Sequence, residues 1–141
     1  KIYGLAGLRL GYGIGHPELF AALEKVREQF NVNSMAQAGA LAALDDREHL
    51  SRTRKVNASG MKFCEEAVRR LGRRFLPSGG NFILVKVGDG QRVFVEMQKL
   101  GVITRPMGGY RLPEWLRISI GTATENERCV AALEKALTML K

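Results

Sequence analysis

Lys1 and Arg9 stand eight residues apart across a glycine-rich turn, Lys1-Ile-Tyr-Gly-Leu-Ala-Gly-Leu-Arg9. Turn glycines can leave backbone N–H groups free to face an anion, and a guanidinium beside them can grip that anion with two parallel hydrogen bonds. On spacing alone a plainer alternative stays open, with Lys1 a solvated charge at a chain end and Arg9 a surface arginine. Arg117 is harder to set aside. It sits inside the apolar run Leu116-Arg-Ile-Ser-Ile120, where an unpaired charge is costly, so it must face a partner or a cleft. Arg105 ends a shorter apolar run just before the turn cluster Pro106-Met-Gly-Gly109; its alternative is a strand-end arginine in solvent. His16 and His49 have no partner at catalytic spacing, and no metal-ligand constellation is present.

The elements that position these residues belong to an ordinary globular chain. It has 141 residues, 45% hydrophobic and 26% charged, which excludes disordered and fibrous classes and suffices for a buried core. No run approaches membrane-spanning length, and the start lacks the apolar segment and cleavage site of a signal peptide. Cys64 and Cys129 lie far apart in helical patterns and read as reduced core or interface residues of a cytoplasmic protein. The net charge is +8. Many of its basic residues fall between Arg47 and Arg74, interleaved with acids as on a solvated helix face, and aromatics are not interleaved with them as single-strand binding requires. The surplus therefore points to a small anionic ligand, or to a balance struck by sequence beyond this chain, rather than to nucleic acid.

Along the chain, residues 8–14 alternate as a strand. Pro17 opens a helix whose apolar residues Leu19, Phe20, Leu23, Val26 and Phe30 recur at helical spacing and predict one buried face. Ser34 is the expected N-cap of a short buried helix over 35–44. A long polar helix with a narrow apolar face (Leu50, Met61, Cys64, Val68, Leu71) runs to about Leu71, stopped by Gly72, and reads as a bridge between two lobes. Strands are expected at 82–87, 102–105 and 116–120, with helices at 92–100 and 122–140; Thr122 and Glu125 have capping-box spacing, as do Thr124 and Glu127. This α+β part can bury one sheet face under its two helices. The strand at 8–14, by contrast, has no partner in the sequence. The chain is thus expected to be the back part of a larger protein, with Lys1 an internal residue.

Several motifs then carry a family resemblance. The segment Lys-x-Tyr-x-Leu-Ala-Gly-Leu-Arg-x-Gly-Tyr (1–12) resembles the pyridoxal-phosphate lysine segment of class I/II aminotransferases. Asn31-Val-Asn-Ser34, Pro77-Ser-x-x-Asn-Phe82, Val102-Ile-x-Arg-Pro-Met-Gly-Gly-Tyr110 and the following Leu-Pro-Glu-Trp-Leu-Arg-Ile-Ser-Ile-Gly-Thr122 resemble the histidinol-phosphate branch. Arg111 departs from the glycine that branch leads one to expect.

The resemblance implies an α/β fold of the pyridoxal-phosphate transferase type. Residues 1–44 would be the end of a large cofactor-binding domain, 45–72 a bridging helix and 73–141 a small C-terminal α+β domain. It implies pyridoxal 5'-phosphate as cofactor, with Lys1 as the amine that bonds it and shuttles the proton, and Arg9 on its phosphate. Arg117 would hold the substrate α-carboxylate, and Arg105 the phosphate of an amino-acid-like phosphate substrate. The implied reaction is amino transfer between histidinol phosphate and 2-oxoglutarate, in a cytoplasmic homodimer, with no nucleic-acid or membrane partner. The same fold also hosts aromatic amino-acid aminotransferases and threonine-phosphate decarboxylases. A non-enzymatic basic nucleic-acid-binding module is the alternative of a different class. Tyr3, Tyr12, Tyr110 and Trp115 are candidates to line a pocket, with core packing the expectation for Tyr12.

Overall fold

The computed structural model describes residues 1–140, which fall into two compact units divided after Arg54. In the first unit Gly4, at φ +70°, opens a 3-10 turn over Leu5–Leu8, and Arg9 closes it in the left-handed region. No strand forms at 8–14. The alternation of glycines and apolar residues is there, but a ladder needs a partner strand, and none exists among the described residues.

Helix α1 spans Pro17–Glu24, with the His16 ring accepting from the Glu18 amide at its start. It stops short of Val26 and Phe30, which lie 77% and 95% exposed. Its last turn tightens through bonds from the Lys25 and Val26 amides to carbonyls three residues back. The expected buried face is absent, since Leu19, Phe20 and Leu23 are all exposed. An apolar stripe with nothing to bury against adds little to helix stability.

Helix α2 covers Ser34–Asp45. Its N-cap is Asn33, not Ser34, because the Asn33 side-chain oxygen accepts from the Ala36 amide at 2.8 Å. Only Ala36 of this helix is buried, against the expectation of burial all round. Residues this small and apolar give no periodic stripe from which to infer a face. The helix packs against the 3-10 turn, with Gly39 close to the Leu8 side chain.

Helix α3, Arg47–Arg70, begins in the first unit and continues into the second, the division falling after Arg54. Gly72, at φ +67°, ends it, a conformation that glycine adopts without a Cβ penalty. Strand β1 (Phe75–Leu76), β2 (Phe82–Lys86), helix α4 (Gly90–Lys99), β3 (Arg105–Pro106), β4 (Trp115–Ser119) and helix α5 (Ala123–Met139) follow. The four strands make an antiparallel sheet in the order β1-β2-β4-β3.

Burial alternates along β2 and β4, as the side-chain period of two demands. Ile83 and Val85 on β2 and Leu116 and Ile118 on β4 face inward. They meet Val93 and Met97 of α4 and Leu133, Ala136 and Leu137 of α5 in one core. Two helices were expected to cover the sheet, yet Met61 and Val68 of α3 join the same core. Gly60 permits that approach, because a Cβ there would fall 2.6 Å from the Asn126 amide. Asn126 is itself buried and bonds Gly121 twice, donating to its carbonyl and accepting from its amide.

Helix α5 starts with a complete capping box. The Thr122 hydroxyl accepts from the Glu125 amide, and the Glu125 carboxylate accepts from the Thr122 amide at 2.8 Å. The Thr122 amide and, next, the Thr122 hydroxyl, each donating to the Glu125 carboxylate, hold its pKa below the usual carboxylate value. Burial pushes the Cys64 thiol up, and burial together with the Cys64 charge pushes the Cys129 thiol up to about 11; both cysteines are free. Among the described residues, no helix is long and apolar enough to cross a membrane.

Candidate functional site

In the first unit the local backbone presents Lys1 and Arg9. The Lys1 carbonyl accepts from the Gly4 amide at 3.0 Å, and the Arg9 amide donates to Ala6 at 3.2 Å. Two tight turns thus separate the residues, each supported by a left-handed position, Gly4 and Arg9 itself at φ +61°. Both side chains are exposed. Arg9 uses one nitrogen on the Ala6 carbonyl (3.1 Å). Among the described residues no carboxylate pairs with Lys1 or Arg9. The result is an unneutralised amine and a guanidinium flanking a glycine-bearing turn, a donor set suited to a phosphate or another anion.

In the second unit the antiparallel register sets Arg105 of β3 directly opposite Arg117 of β4. Opposed residues in a ladder share one face, here the face away from the core, because the neighbouring Leu116 and Ile118 point inward. Like charges directly opposite each other destabilise a sheet. Among the described residues no carboxylate relieves this pair. The nearby Lys86 is neutralised, its Nζ lying 3.0 Å from Glu114. Arg105 is exposed, whereas Arg117 is half-buried with its Nε buried and without a hydrogen-bond partner. Such an atom carries a desolvation penalty that an added acceptor would remove. Two guanidinium groups without an acidic partner thus share one sheet face, a chemistry suited to anionic groups.

The turn cluster between β3 and β4 carries Arg111 at φ +61°. This left-handed conformation is the one a glycine would take without strain, so the substitution leaves the turn in a glycine-like shape.

Sequence reasoning gave no role to Phe82, whose ring lies 5.2 Å from the Arg117 guanidinium carbon. It also passed over Asn57, which donates to the Gly80 carbonyl at 3.1 Å and ties α3 to the loop entering β2. The strand period could have found Phe82, since two residues along β2 from Leu84, the register partner of Arg117, returns to the same face. Nothing local in sequence marks Asn57. Tyr12, expected to pack in a core, is 76% exposed.

Comparison with known proteins gives these features a family. The model describing aminotransferase class I and II matches residues 1–133. A protein from Ralstonia nicotianae named histidinol-phosphate aminotransferase 2 is 55% identical, with 97% of this chain aligned to 38% of its length. A histidinol-phosphate aminotransferase from Akkermansia muciniphila is also 55% identical over the same shares of the two chains. The crystal structure of histidinol-phosphate aminotransferase from Sinorhizobium meliloti, solved with pyridoxal-5'-phosphate, superposes with a TM-score of 0.86 at 29% identity, covering all of this chain and 40% of that one. The chain thus spans 38% of the length of the two curated relatives. It has the α/β fold of the C-terminal part of such enzymes, and it belongs to the class I and II aminotransferase family.

Proposed function

We propose that the chain is the C-terminal portion of a histidinol-phosphate aminotransferase that uses pyridoxal 5'-phosphate and transfers an amino group from histidinol phosphate to 2-oxoglutarate. Residues 1–44 then end the large cofactor-binding domain, 45–72 bridge, and 73–141 are the small domain. The enzyme acts as a homodimer in the cytoplasm.

The observation that carries this reading is the opposed pair Arg105 and Arg117, exposed to like-charge repulsion with no acidic partner among the described residues. A substrate with two anionic groups, such as 2-oxoglutarate or a phosphorylated amino compound, offsets that repulsion. The exposed Lys1 amine and the partly free Arg9 guanidinium suit the cofactor. When bound, pyridoxal 5'-phosphate supplies an aldehyde for an amine to bond and a ring that takes up the electrons of the substrate Cα.

The chain's own residues then have separable tasks. Lys1 would hold the cofactor through its amine and, freed by the incoming amino group, would take the proton from the substrate Cα and deliver it to the cofactor carbon that keeps the nitrogen. Arg9 holds the cofactor phosphate as a bidentate fork. Arg117 holds the substrate carboxylate of 2-oxoglutarate and of the amino acid it becomes, while Arg105 holds the phosphate of the amino donor. A side-by-side assay of histidinol phosphate, phenylalanine and threonine phosphate with the intact enzyme and 2-oxoglutarate tests the reading. Transfer from histidinol phosphate in clear preference to the others supports it. Preference for phenylalanine, or loss of carbon dioxide from threonine phosphate, replaces it with one of the related activities.

A further inference from the structure

Arg117 lies on the outer face of the sheet with no acidic partner among the described residues, and its buried Nε is unbonded. An arginine in that state would ordinarily lose its geometry to rotamer freedom. What holds it is aromatic. In the β2–β4 register Arg117 faces Leu84, and Phe82 lies two residues along β2 on the same face, diagonal to the arginine. The ring centroid is 5.2 Å from the guanidinium carbon, within the range at which a cation is attracted to a ring face. Phe82 is half-buried, and its backbone is held in the β2–β4 ladder.

We infer that Phe82 is a positioning residue for Arg117: its ring fixes the guanidinium on the outer sheet face so that the terminal nitrogens meet the substrate carboxylate already oriented. The inference rests on the proposed carboxylate role of Arg117. A cation on a ring face needs no acidic partner, so the guanidinium keeps its charge uncompensated for the substrate. A second such contact among the described residues differs in this respect. Arg69 lies 4.8 Å from the Phe75 ring but also pairs with Glu65 at 3.2 Å, so its charge is already answered. Phe75 therefore serves as a control, an aromatic in the same sheet that stacks with a neutralised arginine.

Steady-state kinetics of the intact enzyme test the inference, with 2-oxoglutarate as the varied carboxylate substrate. Phe82→Leu, which keeps the apolar bulk and removes the ring, is expected to raise KM between about twofold and thirtyfold with kcat retained. Phe82→Tyr keeps the ring face and should restore the KM. Phe75→Leu should leave the KM where it was. A wild-type KM in Phe82→Leu, while Arg117→Ala raises it, overturns the role of Phe82 alone. Equal losses in Phe82→Leu and Phe82→Tyr also overturn it, because the ring face would then be irrelevant. A wild-type KM in Arg117→Ala overturns the carboxylate reading itself, and this inference with it.

Discussion

The two units differ in what holds them. Among the described residues, Lys55–Lys141 contains every buried core side chain except Ala36, whereas Lys1–Arg54 leaves Ile14, Val26 and Phe30 at 92%, 77% and 95% exposure. The second unit is held by burial on one sheet face, which frees the opposite face to carry Arg105 and Arg117. The first is shaped by local backbone devices: two left-handed residues around a 3-10 turn, a histidine cap and an asparagine cap. The proposed substrate arginines thus stand on a scaffold with its own core, while the proposed reacting lysine stands on turn geometry. Substitutions in the first unit should therefore change activity with little change in stability, whereas core substitutions in the second should cost stability.

The largest expected effect is chemical. Lys1→Ala in the intact enzyme should reduce transamination by roughly ten-thousandfold or more while leaving the melting temperature near that of the parent. Substantial residual turnover would remove the lysine from the mechanism. Next comes the core. Leu133→Ala, at a residue 1% exposed, should destabilise this chain by about 2–5 kcal/mol in denaturant titration. Phe30→Ala should stay within about 0.5 kcal/mol. Equal costs would break the contrast between the units.

The paired arginines sharpen it. Arg117→Ala should raise the KM for carboxylate substrates by roughly tenfold to a hundredfold, whereas Arg105→Ala should weaken only the phosphorylated donor. If both variants affect 2-oxoglutarate and histidinol phosphate alike, the division of labour on the sheet face fails. The smallest effect belongs to the cap of α5. Thr122→Ala should cost about 1 kcal/mol, seen as a modest fall in denaturation midpoint. Glu125 has its pKa lowered by its bonds to Thr122, so its contribution is present above the ordinary carboxylate range and lost as pH falls through the lowered value. Thr122→Ala removes the hydroxyl bond to the carboxylate but keeps the backbone one, so in an acid titration the gap between parent and variant should narrow as Glu125 protonates without closing, because the hydroxyl cap on the Glu125 amide is still missing.

Much of the second unit was legible in the sequence because burial writes a period. The alternation around Ile83 and Ile118, the stop at Gly72 and the Thr122–Glu125 box all appear where the pattern put them. Strand β1 escaped because two residues after Arg73-Arg74 show no alternation. In the first unit the same reasoning failed for a physical reason. Apolar spacing over Leu19–Phe30 and alternation over 8–14 predict faces and ladders only when something is there to bury or pair them. Arg105 and Arg117 were picked out from chemistry and family resemblance; that they oppose each other is a matter of register, which no single strand encodes.

The most direct test of the central claim is covalent. Borohydride reduction of the cofactor-loaded enzyme, followed by proteolysis and mass mapping, should find the pyridoxyl group fixed on Lys1. Its recovery on another lysine, or no adduct at all, would contradict the assignment of Lys1 as the reacting amine.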